Sequence, residues 1–286
     1  MLVGQSTRVA AVTTEFTVNS GGAILSGEES GDGRAVVLLH GLTATRRYVV
    51  MGSRSLEREG HRVVMYDARG HGRSSAAPSR DAYTYSDLAD DLIAVLDDRG
   101  IDRAVLAGAS MGAHTLLRVA LLAPERVSGL VVITPAYSGP DAMRPERIER
   151  WDALAAGLRS GGVEGFVEAY GEPRVGSERL ARTVLTVIRQ RLSEHEHPDA
   201  LADALQAVPR SMPFGEVDEL AAISVPVAVV ASNDDADPEH PVAIGESYAA
   251  AIPGARLITD SPGSSPVAWQ GSQLSKIIAT VAEQAS

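Results

Sequence analysis

Short, almost uninterrupted apolar runs recur along the chain and alternate with stretches whose apolar residues return every three to four positions. The runs are AVVLLHG (35–41), RVVMYD (62–67), AVLAG (104–108), GLVVIT (129–134), VPVAVVAS (225–232) and ARLITD (255–260). Each is rich in β-branched residues and bounded by Gly, Pro or Asp. Strands of a parallel sheet, buried on both faces, read this way. Between them, SDLADDLIAVLDDRG (86–100) predicts a helix capped by Ser86 or Asp87 and ended by Gly100, with Leu88, Leu92, Val95 and Leu96 on one face. MGAHTLLRVALLA (111–123) predicts a second, stopped by Pro124. Strands alternating with helices predict an α/β fold with a mostly parallel, doubly wound sheet. EFTVNSGGAILSGEE (15–29) predicts an antiparallel hairpin at one edge.

From about residue 137 to 212 the alternation stops and only helical periodicity remains. Ile148, Trp151, Leu154, Ala155 and Leu158 fall at helical spacing, and so do Leu180, Val184, Val187 and Ile188. The expected organisation is a core of residues 1–136 and 213–286, with a helical lid at 137–212 over one end of the sheet. Trp151, Phe166 and Tyr170 would face an apolar pocket or simply pack.

Three glycine-rich stretches carry candidate chemistry. GASMG (108–112) fits G-x-S-x-G, placed after a predicted strand and before a predicted helix. That context puts Ser110 on a strained turn with its hydroxyl pushed out, where side chains two residues to either side would collide. The helix N-terminus then lets the Met111 N–H donate to a developing oxyanion. LLHGLTAT (38–45) ends the first buried strand with His40-Gly41 and offers the Leu42 N–H as a second donor. In DARGHGRS (67–74), Asp67 is expected to bond the backbone of its own glycine-rich turn rather than act in catalysis.

With DPEHP (237–241), these motifs occur in the order found in the α/β-hydrolase fold family, which the chain resembles from about residue 20 to its end. The resemblance implies a sheet of the α/β-hydrolase type with a lid, Ser110 as nucleophile, and an acid in the loop after the strand that follows the lid. Asp234, Asp235 and Asp237 all stand in that loop; the Asp-Pro-x-x-Pro pattern selects Asp237, with Asp235 as the alternative. The family's histidine is expected in SPGSSPVAWQG (261–271), where Ser264 or Ser265 stands instead. A serine hydroxyl is a poor nucleophile without a base to take its proton.

The other histidines are weaker candidates. His40 and His71 belong to glycine-rich turns, His61 precedes a strand, and His114 rides on the helix after Ser110 as a packed or surface residue. His195 and His197 are expected in a solvated turn rather than over the site or around a metal. His240, three residues past Asp237, would reach Ser110 if its loop folded back, and His240→Ala is expected to change little.

Composition narrows the chemistry. The chain has 286 residues, no cysteine and a formal net charge of −11. Disulfides, thiolate zinc sites and a cysteine nucleophile are excluded, and an acidic surface without a dense basic run disfavours nucleic acid. No apolar run is long enough for a membrane span, and the N-terminus does not read as a signal peptide. The expectation is a cytoplasmic hydrolase of a small ester, lactone or related acyl compound, weak or atypical through an incomplete triad, with no metal or organic cofactor. Its partner is a small-molecule substrate, with neither nucleic acid nor membrane. The alternatives are a non-hydrolytic ligand-binding protein and a lyase on the same scaffold. The pattern does not specify an oligomeric state.

Overall fold

In the computed structural model, the described residues are 12–139, 143–173, 175, 177–233, 237, 239–260 and 269–285. Thr13–Ser20 (β1) and Ala23–Ser30 (β2) form the antiparallel hairpin, turning on Gly21 and Gly22. Both glycines take positive φ, 53° and 84°, the left-handed region that tight two-residue turns require. The apolar runs form Arg34–Leu39 (β3), His61–Tyr66 (β4), Ala104–Ala109 (β5), Val127–Ile133 (β6), Val227–Ala231 (β7) and Arg256–Thr259 (β8). The sheet order is β1-β2-β4-β3-β5-β6-β7-β8; β1–β2 and β2–β4 pair antiparallel and every later pair is parallel. The described residues thus form the mostly parallel, doubly wound sheet expected, with eight strands.

Successive residues of the central strands enter opposite cores, as the two-residue period demands. Val37, Leu39, Leu106, Leu130 and Val132 pack with Leu92, Leu96, Leu116 and Leu117. Those four come from Tyr85–Asp98 (α2) and Met111–Leu122 (α3), the chain's first helix being the short Ser55–Arg58 (α1). Val36, Leu38, Val105 and Val131 pack on the other face, with Leu274 and Ile278. β8 differs from the buried strand expected: as the last strand of the sheet it is largely exposed. The α2 cap also differs, being Thr84 rather than Ser86 or Asp87. The Thr84 hydroxyl accepts from the Asp87 N–H while the Asp87 carboxylate accepts from the Thr84 N–H at 2.8 Å, so Asp87 is the reciprocal partner of a capping box.

Between β6 and β7 the chain forms Pro145–Tyr170 (α4), Glu178–Leu192 (α5) and Pro198–Ala207 (α6). α4 is broken at Gly162, where φ is 59°. The bend brings Gly157 and Gly165 so close that a Cβ on either would lie within 2.4 Å of the other's carbonyl oxygen. Leu154, Leu158 and Phe166 of α4 form a core with Leu201 and Leu205 of α6 and with Leu42 and Met111, which follow β3 and β5. The three helices therefore pack at the carboxyl ends of the strands. Val242–Ala251 (α7) and Gly271–Gln284 (α8) complete the flanks.

The loops at this end are held by buried polar groups. The Asp67 carboxylate accepts from the Arg46 N–H at 2.8 Å and the Arg73 N–H at 3.0 Å, so it supports its own turn. His40 Nε2 accepts from the Ala68 N–H (2.9 Å), His195 Nδ1 from the Gly72 N–H (2.9 Å), and His114 Nε2 from the Ala136 and Tyr137 N–H groups (3.0 and 3.2 Å). Each of these nitrogens must be unprotonated to accept. Burial above all, with His71 second for His40 and His195 and His240 second for His114, pushes each pKa down from 6.5 to about 3. His195 is buried instead of lying in the solvated turn expected, its Nδ1 held by the Gly72 N–H.

Two predictions follow from this packing. Unfolding releases the three rings toward their ordinary pKa of 6.5. Below that pH the unfolded chain binds more protons than the folded one, so stability falls as pH drops from about 6.5 toward 3. Summed over three rings the loss between pH 7 and 5 is up to about 6 kcal/mol. Urea midpoints at the two pH values test it; equal midpoints would show that these rings are charged or exposed. A Cβ on Gly112 would lie 2.3 Å from the Leu39 carbonyl oxygen, whereas one on Gly161 meets nothing within 4 Å. Gly112→Ala should therefore lose roughly 2 kcal/mol or more, and Gly161→Ala should stay within about 1 kcal/mol of the parent, both read by urea denaturation.

Candidate active site

β5 ends at Ala109 and α3 begins at Met111, so the chain must reverse direction within one residue. Ser110 does this at φ 51° and ψ −111°, a conformation that costs a non-glycine residue about 1–3 kcal/mol. Its N–H donates to the Ile133 carbonyl at 2.9 Å and its carbonyl accepts from the His114 N–H at 3.1 Å. The flanking glycines make the turn sterically feasible. A Cβ on Gly108 would lie 2.5 Å from the Gly112 backbone, as Gly112 itself is pressed on Leu39.

The side chain of Ser110 meets an imidazole. His240 Nε2 lies 2.9 Å from Ser110 Oγ, and His240 Nδ1 lies 2.8 and 2.9 Å from the two carboxylate oxygens of Asp237. A carboxylate can only accept, so Nδ1 carries the proton and Nε2 is left to accept from the serine O–H. Asp237 and His240 belong to one turn, closed by a hydrogen bond from the His240 N–H to the Asp237 carbonyl at 3.2 Å. The sequence left the partner of Ser110 unassigned, with His240 the alternative if its loop folded back; the loop after β7 does fold back and brings that imidazole to Ser110, where the loop after β8 was expected to supply it. Burial works against the Asp237 charge. The hydrogen bond and charge of His240, Arg191 and the Glu239 backbone outweigh it and hold the carboxyl below its ordinary pKa. Asp234, Asp235, Ser264 and Ser265 lie outside the described residues.

The contacting side chains of Ser110, His240 and Asp237 open into a cavity of about 300 Å³. Leu42 and Met111 both line it. Met111 is the first residue of α3, so its N–H has no intrahelical acceptor, and the Leu42 N–H has no partner among the described residues. The Leu42 carbonyl is fixed by His71 Nε2 at 2.7 Å. Trp151, Phe166 and Tyr170 of α4 line the cavity too, as does the whole apolar stripe of α5: Leu180, Val184, Val187 and Ile188.

His114 also touches the cavity, but its second nitrogen is engaged by the Tyr85 hydroxyl at 3.0 Å, leaving it no free nitrogen for Ser110. Arg191 was not singled out by the sequence reading. It stands on the cavity-lining stripe of α5, three residues after Ile188 and four after Val187, and that spacing was its signal. Among the described residues, no group of three or more metal-ligating side chains converges, and no helix is long and apolar enough to cross a membrane.

Comparison with known proteins places the fold. A family model described as the alpha/beta hydrolase fold matches residues 34–191. The chain is 32% identical over 212 residues to 2-hydroxy-6-oxononadienedioate/2-hydroxy-6-oxononatrienedioate hydrolase 2 of Pseudomonas putida, covering 72% of this chain and 73% of the relative. Among solved structures it is similar to a thermophilic esterase from Thermogutta terrifontis, with TM-score 0.74 and 26% identity over 94% of this chain and 97% of that one. It is also similar to the enol-lactonase from Burkholderia xenovorans LB400, with TM-score 0.70 and 25% identity over 94% and 98% of the two chains. An eight-stranded sheet, a strained serine between β5 and α3, and relatives that hydrolyse small molecules lead to one conclusion: the chain belongs to the α/β-hydrolase fold family and is a hydrolase of small molecules.

Proposed function

We propose that this enzyme hydrolyses a small ester, lactone or related acyl compound inside the cell, with Ser110 as nucleophile, His240 as general base and acid, and Asp237 as the carboxylate that orients it. The observation that carries this reading is the 2.9 Å contact between His240 Nε2 and Ser110 Oγ, backed by Asp237 on the opposite nitrogen. Ser110 Oγ attacks the acyl carbon while its proton passes to His240 Nε2. The Leu42 and Met111 N–H groups donate to the oxyanion. Collapse expels the alcohol, which takes the proton back from His240. Water, deprotonated by the same nitrogen, then attacks the acyl-enzyme and releases the carboxylic acid and Ser110. A relative named as an enol-lactonase and a neighbour described as an esterase support this substrate class.

α4, α5 and α6 act in this reading as a lid. They supply much of the cavity wall and shield the bound acyl group from bulk solvent, leaving room for the one water that hydrolysis needs. The alternative of a ligand-binding protein rested on a missing base, and His240 removes that ground.

Ser110→Ala and His240→Ala should each lower turnover of short-chain 4-nitrophenyl esters by about 10⁴ to 10⁶, and Asp237→Asn by about 10⁴, with KM little changed. Initial rates under saturating ester measure this. A His240→Ala enzyme within tenfold of the parent would sink the assignment of the base.

A further inference from the structure

Arg191 ends the stripe of α5 that lines the cavity. Its Nε is sealed from solvent and has no hydrogen-bond partner, and no side-chain hydrogen bond or ion pair among the described residues engages its guanidinium. The carboxylates that could pair with it are occupied. Glu194, three residues on, accepts from the Thr45 hydroxyl at 2.7 Å and the Tyr48 hydroxyl at 3.1 Å. Glu239 faces Arg147 and Arg150 at 3.6 and 3.5 Å. Asp237 is bound to His240. Burial lowers the Arg191 pKa, with Tyr48, Asp237 and Tyr170 opposing it only in part.

The charged residues lining the cavity, among those described, are Arg147, Arg150, Arg191, Asp237 and Glu239. One positive charge is left without a counter-charge, in a protein whose net charge is −11. An unpaired charge withdrawn from water is destabilising, and the C-terminal end of α5 relieves only part of that through its dipole. A planar guanidinium with free donors is the group best matched to a carboxylate. A single uncompensated charge suits a monoanion better than a phosphate dianion.

We propose that Arg191 receives a carboxylate of the substrate, so that the preferred substrate is an acyl compound carrying a free carboxylate away from the bond that Ser110 attacks. This rests on the hydrolytic reading above and narrows its substrate class.

The test compares kcat/KM for the 4-nitrophenyl hemiester of glutaric acid with that for 4-nitrophenyl pentanoate, a neutral ester of the same chain length. The parent should prefer the anionic ester by at least about tenfold. Arg191→Gln should lower that ratio by about 10- to 100-fold, mainly through KM, and Arg191→Lys should retain part of it. Arg189→Gln removes an equal charge from the outer face of the same helix, where Arg189 pairs with Glu164, and should leave the ratio unchanged. Calorimetric titration of monomethyl glutarate into Ser110→Ala, alone and combined with Arg191→Gln, reads the same subsite without turnover; affinity should fall at least about tenfold in the double variant. Turnover with no preference for the anionic ester, or equal affinity in the two variants, overturns the carboxylate subsite. Arg191-dependent binding of monomethyl glutarate without Ser110-dependent turnover of either ester would overturn the hydrolytic reading and leave the subsite standing.

Discussion

The site depends on one side chain satisfying two partners at once. β5 and β7 are separated by β6, so their carboxyl ends stand two strand spacings apart, roughly 10 Å. No direct hydrogen bond crosses that gap. An imidazole fills it when a carboxylate holds one nitrogen and a hydroxyl the other, and His240 does so from a turn that contains its own carboxylate. The constraint acts on both sides of the gap. Ser110 must hold an unfavourable backbone conformation to present Oγ, which requires Gly108 and Gly112. The loop after β7 must turn within four residues, so Asp237 and His240 are fixed relative to each other whatever follows β8.

Much of the fold was legible because it rests on periodicity. Doubly buried strands have no polar face, so Ala104–Ala109 and Val127–Ile133 could be read from their apolar runs. A helix between them must close with right-handed connections. The errors were local. The α2 cap moved to Thr84 because a reciprocal pair outweighs a lone cap residue, and β8 was read as buried because an apolar run does not reveal that its strand lies at an edge.

The candidate site was legible in part. G-x-S-x-G located Ser110, since the glycines are there for backbone clearance that only this turn needs. His240 was underweighted because a search for the imidazole after the last strand assumes that acid and base lie on different loops. The spacing Asp237-x-x-His240 already allowed one turn to carry both. The stripe Leu180, Val184, Val187 and Ile188 reads as core by periodicity, yet it lines the cavity. Periodicity reports which face of a helix avoids water, and a ligand cavity avoids water as a core does. A charged residue continuing such a stripe, as Arg191 does, is what separates the two cases, because a packed core has no use for an unpaired guanidinium.

The helical segment between β6 and β7 is tied to the loop carrying His240 as well as laid over the cavity. Arg147 and Arg150 of α4 reach Glu239, the residue before His240. Glu194, just past α5, accepts from Thr45 and Tyr48 in the stretch that follows Leu42. His195 accepts from Gly72 in the loop after β4. These ties leave from the first turns of α4 and from the α5–α6 connection and arrive on three different loops of the sheet's carboxyl end. A displacement of α4 would therefore move the backbone carrying His240, and a displacement beyond α5 would move the stretch beside Leu42. The cavity wall and the loop carrying His240 are thus tied together, and the position of the imidazole relative to Ser110 depends on how the helices sit over it.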